Sequence, residues 1–127
     1  MSGFQTIDGT CRPENSTVEI AGTITDASGT PIPSASLTSV KVWLFHKTTK
    51  AIINSRDGQD VKNANGGTVD PTSGAFVLAL GPLDTVLESQ SLATSDIVAE
   101  FEWTYNGTNS TGRASVQFTV GNLIKTT

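Results

Sequence analysis

A chain of 127 residues, 36% hydrophobic and 16% charged, is long enough for one domain with a real core. Its net charge of −4, with the basic residues scattered, excludes a stripe for nucleic acid, and no run is long enough to cross a membrane as a helix. The single cysteine, Cys11, excludes an intrachain disulfide framework, and the opening MSGFQTIDGT lacks the basic-then-apolar build of a signal peptide, so cytoplasmic synthesis is the expectation.

Residues 1–15 are polar, carry Gly3, Gly9 and Pro13, and show no sustained period. They are expected to form an N-terminal arm with two apolar anchors, Phe4 and Ile7, ahead of a domain spanning 16–127. The first strand is expected over 17–25, where Val18, Ile20, Gly22 and Ile24 alternate with Thr17, Glu19, Ala21 and Thr23. Asp26-Ala27-Ser28-Gly29 signals a turn, and Pro31 and Pro33 then favour an extended edge or crossing segment. Residues 38–46 read as a strand with apolar side chains in both phases: Val40, Val42 and Leu44 on one, Trp43 and Phe45 on the other. That predicts cover on both faces; the candidates for the second are residues 83–95, the C-terminal Leu123 and Ile124, or a neighbouring subunit, with 83–95 the favoured one.

A turn at 48–50 leads to a short strand at 51–55, then a long polar loop at 56–68 with three glycines. DPTSG at 70–74 is another turn, AFVLAL at 75–80 a strand, and Gly81-Pro82 ends it. In 83–95, Leu83, Val86 and Leu87 sit at helical spacing, which admits a short helix or a knotted loop. The last third is the clearest. In IVAEFEWTY, residues 97–105, Ala99, Phe101, Trp103 and Tyr105 alternate with Val98, Glu100, Glu102 and Thr104. In RASVQFTV, residues 113–120, Val116, Phe118 and Val120 do the same. The glycine- and asparagine-rich link between them makes a hairpin. Trp103, Phe101 and Phe118 are expected in the core. Leu123 and Ile124 in the tail offer a short docking extension. Six to seven strands and no repeat imply an all-β, two-sheet sandwich.

Groups able to carry chemistry are few. His46, the only histidine, lacks a second histidine or nearby cysteine to share a zinc ion, and reads as a partly exposed strand-end residue. Cys11 has Arg12 beside it but no base, which leaves it an inert thiol. Asp57, Asp60, Asn63, Asn65 and Asp70 crowd one region with the oxygen ligands of a Ca²⁺ loop, but not its spacing, and such residues also cap turns. Glu100 and Glu102 share a face, as paired carboxylates for acid–base work would, and as solvated surface charges do. No phosphate-cradling loop or nucleophile–base set is visible. The expectation is therefore no catalytic, cofactor-binding or metal-ligating residue.

Two segments carry resemblances. TDASGTPIPSAS, residues 25–36, resembles the first turn of many Ig-like and carboxypeptidase-regulatory-like modules, where Asp-x-x-Gly-x-Pro links two strands. More broadly, AIINSRDGQDVKNANGGTVDPTSGAFVLAL at 51–80, DIVAEFEWTYNGT at 96–108 and VQFTVGNL at 116–123 resemble small Ig-like virion proteins of tailed bacteriophages, found among head, neck and tail components. The resemblance implies an Ig-like β-sandwich of about seven antiparallel strands. It implies a non-enzymatic structural subunit, a collar, neck or head-associated accessory protein made in the host cytoplasm and carried in the virion. Its partners would be portal, connector or capsid proteins and copies of itself, joined through arm, loops and sheet edges. The alternative is an Ig-like recognition module that reads a host surface glycan or protein with RDGQDVKNANGG and NGTNSTG as its loops.

Overall fold

The computed structural model describes residues 4–6, 11–89, 91–107 and 109–122. In chain order its strands are β1 (Gln5–Thr6), β2 (Cys11–Pro13), β3 (Val18–Thr23), β4 (Leu37–His46), β5 (Ile52–Asp60), β6 (Gly67–Val69), β7 (Ala75–Leu80), β8 (Thr94–Tyr105) and β9 (Ser110–Gly121). One 3-10 turn, Ser34–Ser36, precedes β4. The strands make two sheets, a four-stranded one ordered β1-β3-β7-β6 and a five-stranded one ordered β2-β9-β8-β4-β5. Strands β3 to β9 pair antiparallel within each sheet, as expected for the sandwich.

The period-two runs fix which face turns inward. In β8, Ile97, Ala99, Phe101 and Trp103 are buried, and in β9 Val116, Phe118 and Val120 are. From the other sheet come Val18, Ile20, Phe76, Leu78 and Leu80, all essentially without solvent contact. A one-residue slip would expose every one of these side chains, so burial specifies the register. Trp103 lies in the core with Phe101 and Phe118, and its indole N–H donates to the Thr25 carbonyl at 3.1 Å. Gly112, across from Trp103 on β9, makes room: a Cβ there would overlap the indole.

The N-terminal segment departs from the expected arm. Residues 4–6 and 11–15 lie on the sandwich. β1 pairs antiparallel with β3, and β2 pairs parallel with β9, so the segment touches both sheets. Phe4 is buried and its ring stacks on Trp103 at 5.7 Å and 4°, with Phe101 at 4.9 Å and Phe76 at 5.5 Å. Gly22 on β3 leaves the space, since a Cβ there would overlap the Phe4 ring. Strands of two or three residues are too short to show a period, which is why the sequence pattern reads as unstructured. Ile7, the other expected anchor, and Leu123 and Ile124 fall outside the described residues.

Residues 83–95 do not form a helix. The chain runs through turns from 81 to 89, and Thr94 already begins β8. Leu83 is 68% exposed while Leu87 is buried and Val86 packs against the core, so the helical spacing is not used. Asp84, Thr85 and Leu87 of the segment are buried, while Leu83 and Leu92 stay exposed, and none of its residues lines the groove beside Trp43. In β4 the inward-facing Val40, Val42 and Leu44 are buried, whereas Trp43 and Phe45 on the outer face are only half-buried. Their partial cover is local: the Lys50 ammonium lies 5.5 Å from the Phe45 ring centroid, and Gly58 lies against the Trp43 indole.

The region expected as a loop after residue 55 is mostly sheet. β5 continues to Asp60, and β6 follows at 67–69. Its period is hidden by a bulge: Ile52 opposes Phe45 but Asp57 already opposes Trp43, so residues 53–56 leave the ladder. Asn54 and Ser55 take positive φ values of 53° and 57° within it. The conformation is one that asparagine tolerates and most residues avoid.

Candidate functional site

The bulge in β5 has a specific outcome. It turns Arg56 inward, where it is 7% exposed, against Asp84 of the segment after β7. Nε donates to Asp84 Oδ1 at 2.7 Å and Nη2 to Oδ2 at 3.1 Å, a two-pronged pair, while Nη1 donates to Gln59 Oε1 at 2.8 Å and the Asn65 carbonyl at 3.1 Å. Asp84 also accepts from Asn54 Nδ2 and from the Gly81 N–H, each at 2.9 Å. Burial pushes the Asp84 carboxyl up; Arg56, Asn54 and the Gly81 N–H together outweigh it and hold the pKa below the ordinary value. Next to it, the Thr85 hydroxyl donates to the Ser16 carbonyl and accepts its N–H. This network is a brace, fully committed to internal bonds, and nothing in the sequence pattern announces it, because Arg56 and Asp84 are far apart along the chain.

The residues singled out from sequence divide in the same way. His46 is buried rather than partly exposed, at 6%, because the end of β4 pairs with Ile97 on one side while the hairpin folds back on the other. Burial lowers its pKa, partly offset by Glu88, and Nδ1 has no hydrogen-bond partner among the described residues. Cys11 sits on β2. The Asx group does not converge. Asp60 Oδ1 accepts the Lys62 N–H, Asn63 Oδ1 the Val69 N–H, and Asn65 Nδ2 donates to the Asp60 carbonyl. Asp70 accepts the Thr72 and Ser73 N–H groups and the Thr72 hydroxyl, which hold its carboxyl at about 2. The oxygens of Asp60, Asn63 and Asp70 thus serve nearby backbone N–H groups and not one shared point.

What remains open is the outer face of the five-stranded sheet, where cross-strand register sets side chains in rows. One row runs Asp60, Lys41, Glu102, Arg113; the next Asp57, Trp43, Glu100; the third Ile52, Phe45, Val98, Gln117. Glu102 and Arg113 form an ion pair at 2.7 Å. Trp43, Glu100, Glu102, Arg113 and Ser115 line an open groove of about 480 Å³ on this face. The two carboxylates expected to share a face do so, but one is tied to an arginine and the other faces an indole. That combination suits binding, with a flat aromatic surface edged by charge, better than proton transfer between paired acids. Strand positions make it rigid. No protein-family model matches the chain, and no curated protein matches it in sequence.

Proposed function

We propose that this chain is a non-enzymatic structural subunit of a tailed-phage virion, a collar, neck or head-associated accessory protein that works by holding its neighbours. The observation that carries the reading is the division of its polar groups. Buried ones such as Arg56, Asp84 and Thr85 are spent on internal bonds, while the outer face around Trp43 and Phe45 stays half-open on a rigid sheet. The resemblance of residues 51–80, 96–108 and 116–123 to phage virion sandwiches supports the same reading. Since β1 and β2 pair with the sandwich, contacts fall to that face, the loops and the edge strands, β1 and β6 of one sheet and β2 and β5 of the other. Repeated copies around a portal, connector or capsid vertex reuse one heterologous contact that closes into a ring. The test is mass spectrometry and electron microscopy of particles made from the genome that encodes the chain. Stoichiometric copies at the neck or head are expected. Absence from purified particles overturns the proposal, and density at a fibre tip hands the protein to host recognition instead.

A further inference from the structure

The row through Trp43 carries charge that the chain does not balance. Asp57 stands opposite Trp43 on one side and Glu100 on the other, both exposed. In a regular ladder directly opposed side chains have Cβ atoms about 4.5–5.5 Å apart, which puts Glu100 of the groove lining within reach of a group lying on the indole; Asp57 stands on the other side, at the bulge in β5. The ion pairs among the described residues are Arg56–Asp84 and Glu102–Arg113, and neither uses Asp57 or Glu100. The adjoining row is neutral, with Lys41 and Arg113 set against Asp60 and Glu102. The row beyond Trp43 shows the complementary arrangement. Phe45 has no carboxylate beside it, yet the chain supplies its own cation, Lys50, over the ring. Trp43 offers the stronger π surface and two carboxylates, and no cation of the chain lies over it among the described residues.

The geometry points to Trp43, Asp57 and Glu100 as a receptor for an arginine side chain presented by a partner protein. Arginine fits better than lysine because its planar guanidinium stacks on an indole and bridges carboxylates at the same time. A neutral saccharide would stack on Trp43 but leave two like charges unbalanced. A second copy of this chain is a poor donor: its net charge is −4, and of its three arginines Arg56 is buried against Asp84 and Arg113 is bonded to Glu102, which leaves Arg12 alone. The inference concerns the chemistry of the partner and holds wherever the protein resides.

The full chain, labelled with ¹⁵N, carries an internal control. The Trp43 indole N–H reports the groove, and that of Trp103, bonded to Thr25 in the core, reports the fold. Titration uses blocked Gly-Gly-Arg-Gly-Gly, the same peptide with lysine, and the same peptide with uncharged citrulline. The arginine peptide should shift the Trp43 signal saturably and leave Trp103 still. The lysine peptide should bind several-fold more weakly and the citrulline peptide not at all. Glu100→Gln and Asp57→Asn, both at exposed positions, should each weaken binding about fivefold, as expected for one lost ion pair. No saturable shift, an equal response to citrulline, or unchanged binding in both variants overturns the assignment. A Trp43 response to cellohexaose without one to the arginine peptide does so too, in favour of a sugar.

Discussion

Replacing Phe4 by Ala asks whether the first residues belong to the core. The ring is 7% exposed and touches three aromatic rings with centroids 4.9–5.7 Å away. Burying a Phe side chain is worth about 1.5–3 kcal/mol against leaving it in water. At an internal site the truncation costs about 3–5 kcal/mol, because the cavity adds to the transfer loss. Here β1 is two residues long and can lift off, which limits the loss to the energy of its docking. The expected cost is therefore about 2–4 kcal/mol. With a urea m-value of about 2 kcal/mol/M, the midpoint falls by about 1–2 M. Tryptophan fluorescence is a suitable probe, since Trp103 is one of the rings Phe4 stacks on. Gly22→Ala supplies a cross-check. In the parent chain its methyl overlaps the Phe4 ring and costs about 1–3 kcal/mol by overpacking, whereas in the Phe4→Ala background it enters vacated space and costs much less. A midpoint that moves by less than about 0.25 M, or strictly additive costs in the double variant, would refute the placement of Phe4.

Asp84→Ala should cost about 3–5 kcal/mol, because it leaves the buried Arg56 guanidinium without its partner; a chemical-denaturation loss under about 1 kcal/mol would show that water already reaches the pair. Because the folded pKa of Asp84 is lowered, its contribution is present above the unfolded carboxyl pKa of about 3.9 and is lost as pH falls through the folded value. Acid melts of Asp84→Ala should therefore be flatter below pH about 4 than those of the parent. His46 is likewise depressed, so the unfolded chain takes up a proton first and stability falls as pH drops from about 6.5 towards the folded pKa; His46→Leu should remove that slope, and an equally steep melting-temperature profile between pH 5 and 7 would assign it elsewhere. Gly112→Ala places a methyl on the Trp103 indole and should cost about 1–3 kcal/mol, read as a lower urea midpoint; an unchanged midpoint would mean that the indole has another position to occupy.

The two-sheet architecture was legible wherever a strand was long and lost one face to the core. Val18 to Ile24, Val40 to Leu44 and Phe101 to Val120 announce themselves because burial imposes a period of two. Legibility failed where another constraint set the residue types. In β5 the bulge at Asn54 and Ser55 and the positive φ of 72° at Gly58 demand polar and glycine residues, so a strand reads as a loop. In 83–95 the order comes from Asp84 and Thr85 bonding to distant partners, and the apolar spacing around them is incidental. The groove on the outer face could not be read at all. Glu100 and Glu102 are visible as a pair, but their meaning depends on which side chains of β4, β5 and β9 stand opposite them, and register across a bulge is not written locally.

The parallel pairing of β2 with β9 sets an order of events on the chain. Cys11, Arg12 and Pro13 align with Thr119, Val120 and Gly121, and the Glu14 N–H reaches the Gly121 carbonyl at 2.9 Å. On a ribosome adding roughly 5–20 residues per second, the first of these segments waits about 5–20 s for the second. Until then β2 has no place to settle, and the sheet it completes presents an unpaired edge to other nascent chains. Contacts between such distant parts of a sequence also slow refolding of the whole molecule. Among the described strands, β2 is thus made early and fastened late, whereas β1, made earlier still, meets its partner β3 close by in the chain.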